Sequence, residues 1–286
     1  MVAGARRAAE SGGDVREGAR SASARLRRTR PTAVNLFWAL DRMNSILEGS
    51  PAAGAGLEEA LLAQADAILA EDLETGRKIA EAGLALLPRG RASQVMTHCN
   101  AGGLATGGWG TALAPLYAAH AEGRPLTVLA DETRPLLQGS RLTAWELARA
   151  GIPVKVLVDG ASASVLRRGT VDLVIVGADR VAANGDTANK IGTFPLALAA
   201  REARVPFYVA APLSTFDFSL ASGDAIPVEE RAGEEVLGDR PVPGVEGMNP
   251  AFDVTPAALI AGWITEIGVI HPPFAAARVE AGRKTG

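Results

Sequence analysis

Two reactive side chains of this sequence stand just after short apolar runs. Cys99, the only cysteine, follows residues 94–98, and Asp179 follows the run from Val171 to Val176. If both runs are strands of an open parallel sheet, both side chains lie near the carboxyl ends of the strands, where such sheets bind ligands. A thiol and a carboxylate at one rim suit acid/base catalysis. We therefore predict that Cys99 and Asp179 form a catalytic pair.

Each of these residues also has a purely structural interpretation. A single cysteine is more often a small buried apolar residue, and an aspartate after a strand often caps the next turn. Cys99, however, enters a glycine-rich turn, residues 100–111, before a predicted helix. A helix start favours anions and lowers the pKa of a nearby thiol. Partial burial of Asp179 would raise the pKa of its carboxyl group and suit it to donate a proton.

Further polar groups follow other predicted elements. Asn189 and Lys190 are predicted to open a helix, where the helix dipole and the ammonium group would both attract a phosphate. Gln138 follows the predicted strand 126–130 and is placed to hydrogen-bond a hydroxyl group. The three histidines have no spacing typical of a metal site. The residues alone therefore predict acid/base chemistry on a small phosphorylated polyol or sugar.

The elements that must position these groups follow from the hydrophobic periodicity. Helices are predicted from Thr32 through Leu47 and from about Leu57 to Leu87. Five strands are predicted at 94–98, 126–130, 153–158, 171–176 and 205–211, with helices between them at about 110–122, 140–150, 162–168 and 188–203. A final helix is predicted from Ala257 to Glu266. Strands that alternate with helices imply βαβ units and a parallel sheet.

We therefore predict an α/β protein: a mainly helical N-terminal region, residues 1–90, followed by a Rossmann-like parallel-sheet domain, residues 91–286. The net charge of −3 gives no general attraction to nucleic acid or to anionic membranes. No apolar stretch is long enough to cross a bilayer. Residues 1–30 lack the apolar core of an export signal, and one cysteine forms no internal disulfide. A cytoplasmic location is predicted.

In six ordered blocks the sequence resembles the methylthioribose-1-phosphate isomerases. This group shares a superfamily with ribose-1,5-bisphosphate isomerases and with exchange subunits of translation initiation factors. The blocks are residues 30–35, 97–102, 130–139, 177–180, 188–193 and 249–256. The resemblance extends from Thr32 to Pro273, and it implies conversion of 5-methylthio-D-ribose 1-phosphate to 5-methylthio-D-ribulose 1-phosphate in methionine salvage.

The resemblance also implies a role for particular residues. The anomeric carbon of this substrate is blocked by its phosphate ester, so the enzyme must open the ring, and Asp179 is the implied general acid. Cys99 would assist the transfer between C2 and C1, by either an enolate or a hydride-shift route. The implied substrate-binding residues are Arg30, Gln138, Asn189 and Lys190. No metal or organic cofactor is implied, the partner is a sugar phosphate, and a homodimer is expected.

The sequence departs from the family pattern in three places. The family's Arg-Gly-Ala-Pro loop, which helps to hold the phosphate, would fall before Met1. Either the true start lies further upstream or the N-terminal domain is truncated relative to the family. Residues 159–164 lack a usual methionine, and Met248 replaces an expected aromatic or small residue. These departures leave open a related substrate, 5-deoxyribose 1-phosphate or ribose 1,5-bisphosphate. They also leave open an inactive regulatory or binding homologue.

Overall fold

The computed structural model describes residues 1–29, 34–239, 242–276 and 279–280. The chain divides into two compact units, Met1–Leu73 and Glu74–Gly286. None of the helices formed by the described residues combines the length and the apolar composition needed to span a membrane.

The first unit is helical. Its helices are α1 (Val2–Glu10), α2 (Val15–Arg27), α3 (Val34–Gly49) and the first part of α4 (Gly54–Leu84). Asp14 caps α2 by accepting a hydrogen bond from the Arg16 amide at 2.8 Å. A Cβ atom at Gly4 would lie 2.7 Å from the Gly18 carbonyl oxygen, so α1 and α2 approach closely through glycine. Leu47, Leu57 and Leu61 are buried in the core of this unit.

The second unit is built on strands in two sheets. In chain order the strands are β1 (Ser93–Thr97), β2 (Leu126–Asp131), β3 (Val154–Leu157), β4 (Leu173–Val176), β5 (Arg180–Ala182), β6 (Thr187–Lys190), β7 (Phe207–Ala210), β8 (Phe216–Asp217), β9 (Phe252–Thr255), β10 (Gly262–Thr265) and β11 (Gly268–Ile270). Within the described residues, the larger sheet has the order β11-β10-β7-β4-β1-β2-β3. All of its pairings are parallel except that of β10 with β11.

Apolar side chains cover both faces of the larger sheet. Successive residues of a strand point to opposite faces, and in β4 Val174 and Val176 join one apolar cluster while Ile175 joins another. Helices contribute to both clusters: α5 (Ala114–Ala121) to the second and α8 (Thr193–Glu202) to the first. The described residues also form the short helices α6 (Ala144–Arg149), α7 (Ser162–Leu166) and α9 (Glu234–Leu237). The predicted α/β class, with helices first and a parallel-rich sheet after them, is confirmed.

One predicted helix is wrong, and another begins later than predicted. The helix predicted at 188–203 begins only at Thr193, because residues 187–190 form β6, which pairs antiparallel with β9 in the smaller sheet. The final helix predicted at 257–266 is a short 3-10 turn followed by β10. Trp263 of this strand is fully buried in the core. Short apolar runs of this kind suit either a buried strand or a helix, and periodicity does not distinguish them.

Candidate active site

Cys99 occupies a left-handed backbone conformation immediately after β1. Its φ is +62°, which is uncommon for a residue with a side chain. The amide of Cys99 donates to Thr133 Oγ1 at 2.9 Å, and its carbonyl oxygen accepts from Thr143 Oγ1 at 2.6 Å. Strained backbone held by flanking bonds is concentrated at functional sites. The thiol therefore stands on a backbone that two neighbouring segments fix in place.

A buried carboxylate, Glu146, organises the glycine-rich turn after Cys99. Its Oε1 accepts from Asn100 Nδ2 at 2.5 Å, and its Oε2 accepts from the Gly103 amide at 2.8 Å and from Tyr117 Oη at 3.2 Å. Burial and the charge of Glu146 raise the pKa of Tyr117, which keeps its hydroxyl protonated as a donor. A Cβ atom at Gly102 would lie 2.0 Å from Glu146 Oε1. Glycine in this turn therefore makes room for the carboxylate.

Asp179 follows β4, the strand next to β1, and is partly buried. Its amide donates to the Ala188 carbonyl oxygen at 2.9 Å, which ties it to β6. A Cβ atom at Gly177 would lie 2.7 Å from the Ala101 Cβ, so the segment after β4 packs directly on the segment after β1. The structure thus brings the two segments that carry Cys99 and Asp179 to one rim of the sheet, as predicted.

Gln138 lies in the segment after β2, and Asp159 holds the start of this segment. The amides of Thr133 and Arg134 both donate to the carboxylate of Asp159 at 2.7 Å. Among the described residues, Gln138 Oε1 is buried without a hydrogen-bond partner. A buried acceptor without a donor is costly, and a ligand hydroxyl group is one donor that would satisfy it. This observation supports the predicted binding role of Gln138.

Asn189 and Lys190 lie in β6 and not at a helix start. The Asn189 Nδ2 atom donates to Thr193 Oγ1 at 3.1 Å, and Lys190 Nζ stands 4.4 Å from the centroid of the Phe252 ring. The start of α8 is already engaged, because the carboxylate of Asp253 accepts from the Gly192 amide at 2.8 Å and from the Phe194 amide at 3.0 Å. The prediction that Asn189 and Lys190 open a helix is wrong, and their binding of the substrate stays a prediction.

Asp253 is a titratable residue that sequence reasoning did not single out. Burial raises the pKa of its carboxyl group to about 6, although the amide hydrogen bonds from Gly192 and Phe194 and the charge of His98 oppose the rise. A capping residue that comes from β9, far along the chain, leaves no pattern near the helix that it caps. Only its place in the block 249–256 could have drawn attention to it.

His98 is a second residue whose role the sequence did not reveal. It is 1% exposed, and its Nδ1 lies 3.1 Å from Asp131 Oδ2 while its Nε2 lies 2.8 Å from the Ile191 carbonyl oxygen. Burial acts to lower the pKa of His98, but the hydrogen bond and the charge of Asp131 outweigh this effect and raise it. One ligand atom each of His98, Asp131 and Asp159 lies within 4.8 Å of the others.

Asn249 is bonded to Ala232 and Glu235. Asn249 Nδ2 donates to the Ala232 carbonyl oxygen at 2.8 Å and to Glu235 Oε2 at 3.0 Å. Met248, one of the departures from the family pattern, is 85% exposed. Arg30, the predicted phosphate-binding residue, lies outside the described residues.

Comparisons with known proteins agree with this architecture. A methylthioribose-1-phosphate isomerase of Gemmatimonas aurantiaca is 61% identical over 252 residues, which cover 88% of this chain and 72% of that protein. The crystal structure of 5-methylthioribose 1-phosphate isomerase from Pyrococcus horikoshii OT3 superimposes with a TM-score of 0.85 at 44% identity, covering 93% of this chain and 75% of the other.

A translation initiation factor is also similar. The crystal structure of translation initiation factor eIF-2B, subunit delta, from A. fulgidus gives a TM-score of 0.80 at 43% identity, covering 93% of this chain and 78% of the other. The model of the Initiation factor 2 subunit family matches residues 2–272. That match extends over both units, and the chain belongs to the Initiation factor 2 subunit family.

Proposed function

We propose that this chain is an aldose–ketose isomerase that converts 5-methylthio-D-ribose 1-phosphate to 5-methylthio-D-ribulose 1-phosphate. The observation that carries the proposal is the meeting of the Cys99 and Asp179 segments at adjacent strand ends, in a chain 53–61% identical to proteins named methylthioribose-1-phosphate isomerase. Residues 91–286 form the catalytic domain in this proposal. The protein acts in the cytoplasm as a homodimer.

The reaction needs no external oxidant or reductant. The bond between C1 and the ring oxygen breaks, and the ring oxygen gains a proton, which Asp179 donates. One hydrogen moves from C2 to C1, either with its electron pair or as a proton through the enolate, and the C2 oxygen becomes the ketone as its hydroxyl proton passes to solvent. Asp179 regains from solvent the proton that it gave to the ring oxygen. Cys99 assists this transfer at the neighbouring strand end, either by relaying the proton or by stabilising the charge that develops. Atoms and electrons balance for an isomerisation.

The remaining residues hold the substrate. Lys190 supplies positive charge for the phosphate, with charge-assisted hydrogen bonds that are stronger than neutral ones, and Arg30, outside the described residues, stays a predicted phosphate-binding residue. Gln138 and Asn189 bond the sugar hydroxyl groups, and the buried Oε1 of Gln138 supports this role. Held in this way, the sugar presents its ring oxygen to Asp179 and its C1–C2 bond to Cys99.

The activity is tested with purified protein and methylthioribose 1-phosphate, by following ketose formation with NMR. We expect turnover by the unaltered chain. Cys99→Ser and Asp179→Asn should each lower kcat by about 10² to 10⁴, the usual contribution of a proton-transferring group, while both variants stay folded. Asp224→Asn, at an exposed aspartate of the same unit, is the matched control and should keep full activity. Near-normal turnover by either site variant would refute the role assigned to that residue.

Related substrates are separated in the same assay. 5-Deoxyribose 1-phosphate lacks only the methylthio group. The ratio of its kcat/KM to that of methylthioribose 1-phosphate therefore measures how strongly the pocket prefers that group. Ribose 1,5-bisphosphate adds a second phosphate and would require a further cationic site. A higher kcat/KM for either compound would replace the proposed substrate by that compound.

A second candidate is a non-catalytic binding role, favoured by the similarity to the eIF-2B delta subunit structure. In that case the unaltered chain would isomerise none of these sugar phosphates. Binding of methylthioribose 1-phosphate without turnover, measured by calorimetry, would then support the binding role.

A further inference from the structure

His98 directly precedes Cys99 and is enclosed by oxygen acceptors on both sides. The Ile191 carbonyl oxygen has no proton to give, so the Nε2 atom of His98 must donate to it across 2.8 Å. On the other side, Nδ1 faces Asp131 Oδ2 at 3.1 Å, and the second oxygen of Asp131 accepts from Ser162 Oγ at 2.5 Å. A lone pair on Nδ1 would oppose the Asp131 carboxylate. Protonation of both ring nitrogens removes this repulsion.

The surroundings favour this charged form of His98. Three carboxyl groups face the ring from three different elements: Asp131 from β2, Asp159 from the turn before α7, and Asp253 from β9. A charge buried in this way is tolerated only when it is paired and hydrogen-bonded, and His98 meets both conditions. The pair of His98 with Asp131 is then neutral as a whole.

This ring also connects segments that lie far apart in the sequence. His98 directly follows β1 and precedes Cys99, and its Nε2 atom bonds to Ile191, the residue after Lys190. Gly192 lies against the ring with a φ of +101°, and a Cβ atom there would come within 2.7 Å of the Cε1 atom of His98. The end of β6 therefore packs on the imidazole ring as well as bonding to it.

We propose that His98 is a positioning residue whose imidazolium group fixes the Asn189–Lys190 strand end relative to Cys99. The role rests on the proposed function, because it assigns substrate binding to Asn189 and Lys190 and catalysis to Cys99. Sub-ångström alignment of substrate and catalytic group contributes strongly to rate, and a displacement of about 1 Å can cost about 10²-fold. His98 touches no substrate in this proposal and acts only through Ile191 and its own backbone.

The same geometry argues against a metal ion between His98, Asp131 and Asp159. A metal-binding histidine offers a lone pair on one ring nitrogen, whereas both nitrogens of His98 face acceptors. The oxygens of Asp131 and Asp159 already accept from Ser162, Thr133 and Arg134. The cluster is therefore a hydrogen-bonded ion pair.

Two substitutions of His98 test its contact with Asp131 and its contact with Ile191 separately. In His98→Asn the amide nitrogen takes about the place of Nδ1, so the contact with Asp131 stays and the contact with Ile191 is lost. In His98→Gln the amide nitrogen takes about the place of Nε2, so the contact with Ile191 stays. His120→Gln, at an exposed histidine on α5, is the matched control.

Three measurements test the proposal. NMR of the unaltered, ¹⁵N-histidine-labelled protein should show two ring N–H protons for His98 at about neutral pH. Amide hydrogen exchange in residues 187–196 should rise in His98→Asn and stay near normal in His98→Gln. The kcat/KM for methylthioribose 1-phosphate should fall about 10- to 100-fold in His98→Asn, mainly through KM, and much less in His98→Gln.

A single ring N–H proton on His98, or equal exchange and KM in the two variants, overturns the proposal. The NMR measurement uses only the unaltered protein, so it decides the charge of the ring even if a variant does not fold. Failure of the unaltered chain to isomerise the substrate overturns the proposed function instead. In that case NMR and hydrogen exchange still decide whether His98 fixes the end of β6.

Discussion

At the scale of single residues, Asp253 makes stability depend on pH. Burial raises the pKa of its carboxyl group from 3.8 to about 6, so between these values the folded state holds more protons than the unfolded state. Stability conferred by this group therefore falls as pH rises through that window. The shift in the pKa corresponds to a difference in the free energy of unfolding on the order of 2 to 3 kcal/mol between the two ends of the window. Above pH of about 6 the full cost of the buried charge is present.

Asp253→Asn tests this dependence, because the amide does not titrate. The free energy of unfolding is measured by urea denaturation between about pH 4 and pH 7. As the pH falls, we expect it to rise by about 2 kcal/mol in the wild-type protein relative to the variant. Asn keeps one acceptor oxygen, so one of the two amide hydrogen bonds to the start of α8 is lost at every pH. Asp224→Asn is the exposed control and should follow the wild type. Parallel curves for Asp253→Asn and the wild type would contradict the raised pKa.

At this scale, the reactive groups that directly follow strands were predictable from the sequence, and the buried groups that hold them in place were not. Cys99 and Asp179 stand out because each ends an apolar run, a pattern that is local in the sequence. His98, Glu146 and Asp253 act through partners tens of residues away, and nothing close to them in sequence reveals those partners. Of His98, the sequence indicated only that its spacing from the other histidines is not typical of a metal site.

At the scale of elements, the turn between β6 and α8 depends on glycine at position 192. Its φ of +101° disfavours any residue with a side chain, and a Cβ atom would also meet the His98 ring at 2.7 Å. Gly268 has a similar φ of +107° but has nothing within 4 Å of the corresponding Cβ position. A substitution at Gly268 therefore causes backbone strain alone, whereas a substitution at Gly192 causes backbone strain and also displaces the His98 ring.

Gly192→Ala and Gly268→Ala should each destabilise the protein by about 1 to 3 kcal/mol through backbone strain. Gly192→Ala should in addition raise KM, because the alanine methyl group pushes the end of β6 away from His98. Urea denaturation and steady-state kinetics measure the two effects. A KM for Gly192→Ala that matches that of Gly268→Ala would show that the contact with His98 does not position the site.

Five strands of the larger sheet, β1, β2, β3, β4 and β7, were predictable because each is a short apolar run bounded by turn residues. Val171 to Val176 is such a run, and β4 lies within it. The smaller sheet was not predictable in this way. Residues 187–190 of β6 include an asparagine and a lysine and become a strand through pairing with β9, more than sixty residues later. Tertiary pairing of this kind overrides local preference.

At the scale of the whole molecule, we predict a homodimer. Several large apolar side chains on adjacent elements are exposed, among them Trp145 on α6 at 52%, Val156 on β3 at 45% and Val158 just after it at 60%. Burying such surface against a second copy would be favourable by about 25 cal/mol per Å². Light scattering should give twice the mass of one chain, and dilution should dissociate Val158→Glu more readily than Val228→Glu, a control at another exposed valine. A single-chain mass at every concentration would contradict the prediction.

The strand order of the larger sheet determines when each strand can pair with its neighbours during synthesis on the ribosome. β1 can pair with β2 early, but its other neighbour, β4, is made only after β3, and β7 and β10 come later still. During that interval the apolar edge of β1 and the thiol that follows it have no cover, and such edges are prone to aggregate. Val95 can pair with Leu173, and His98 can bond to Ile191, only after these later residues have been synthesised. The reactive centre is thus begun first and completed late, so a nascent chain halted before β6 would expose Cys99 without its neighbours.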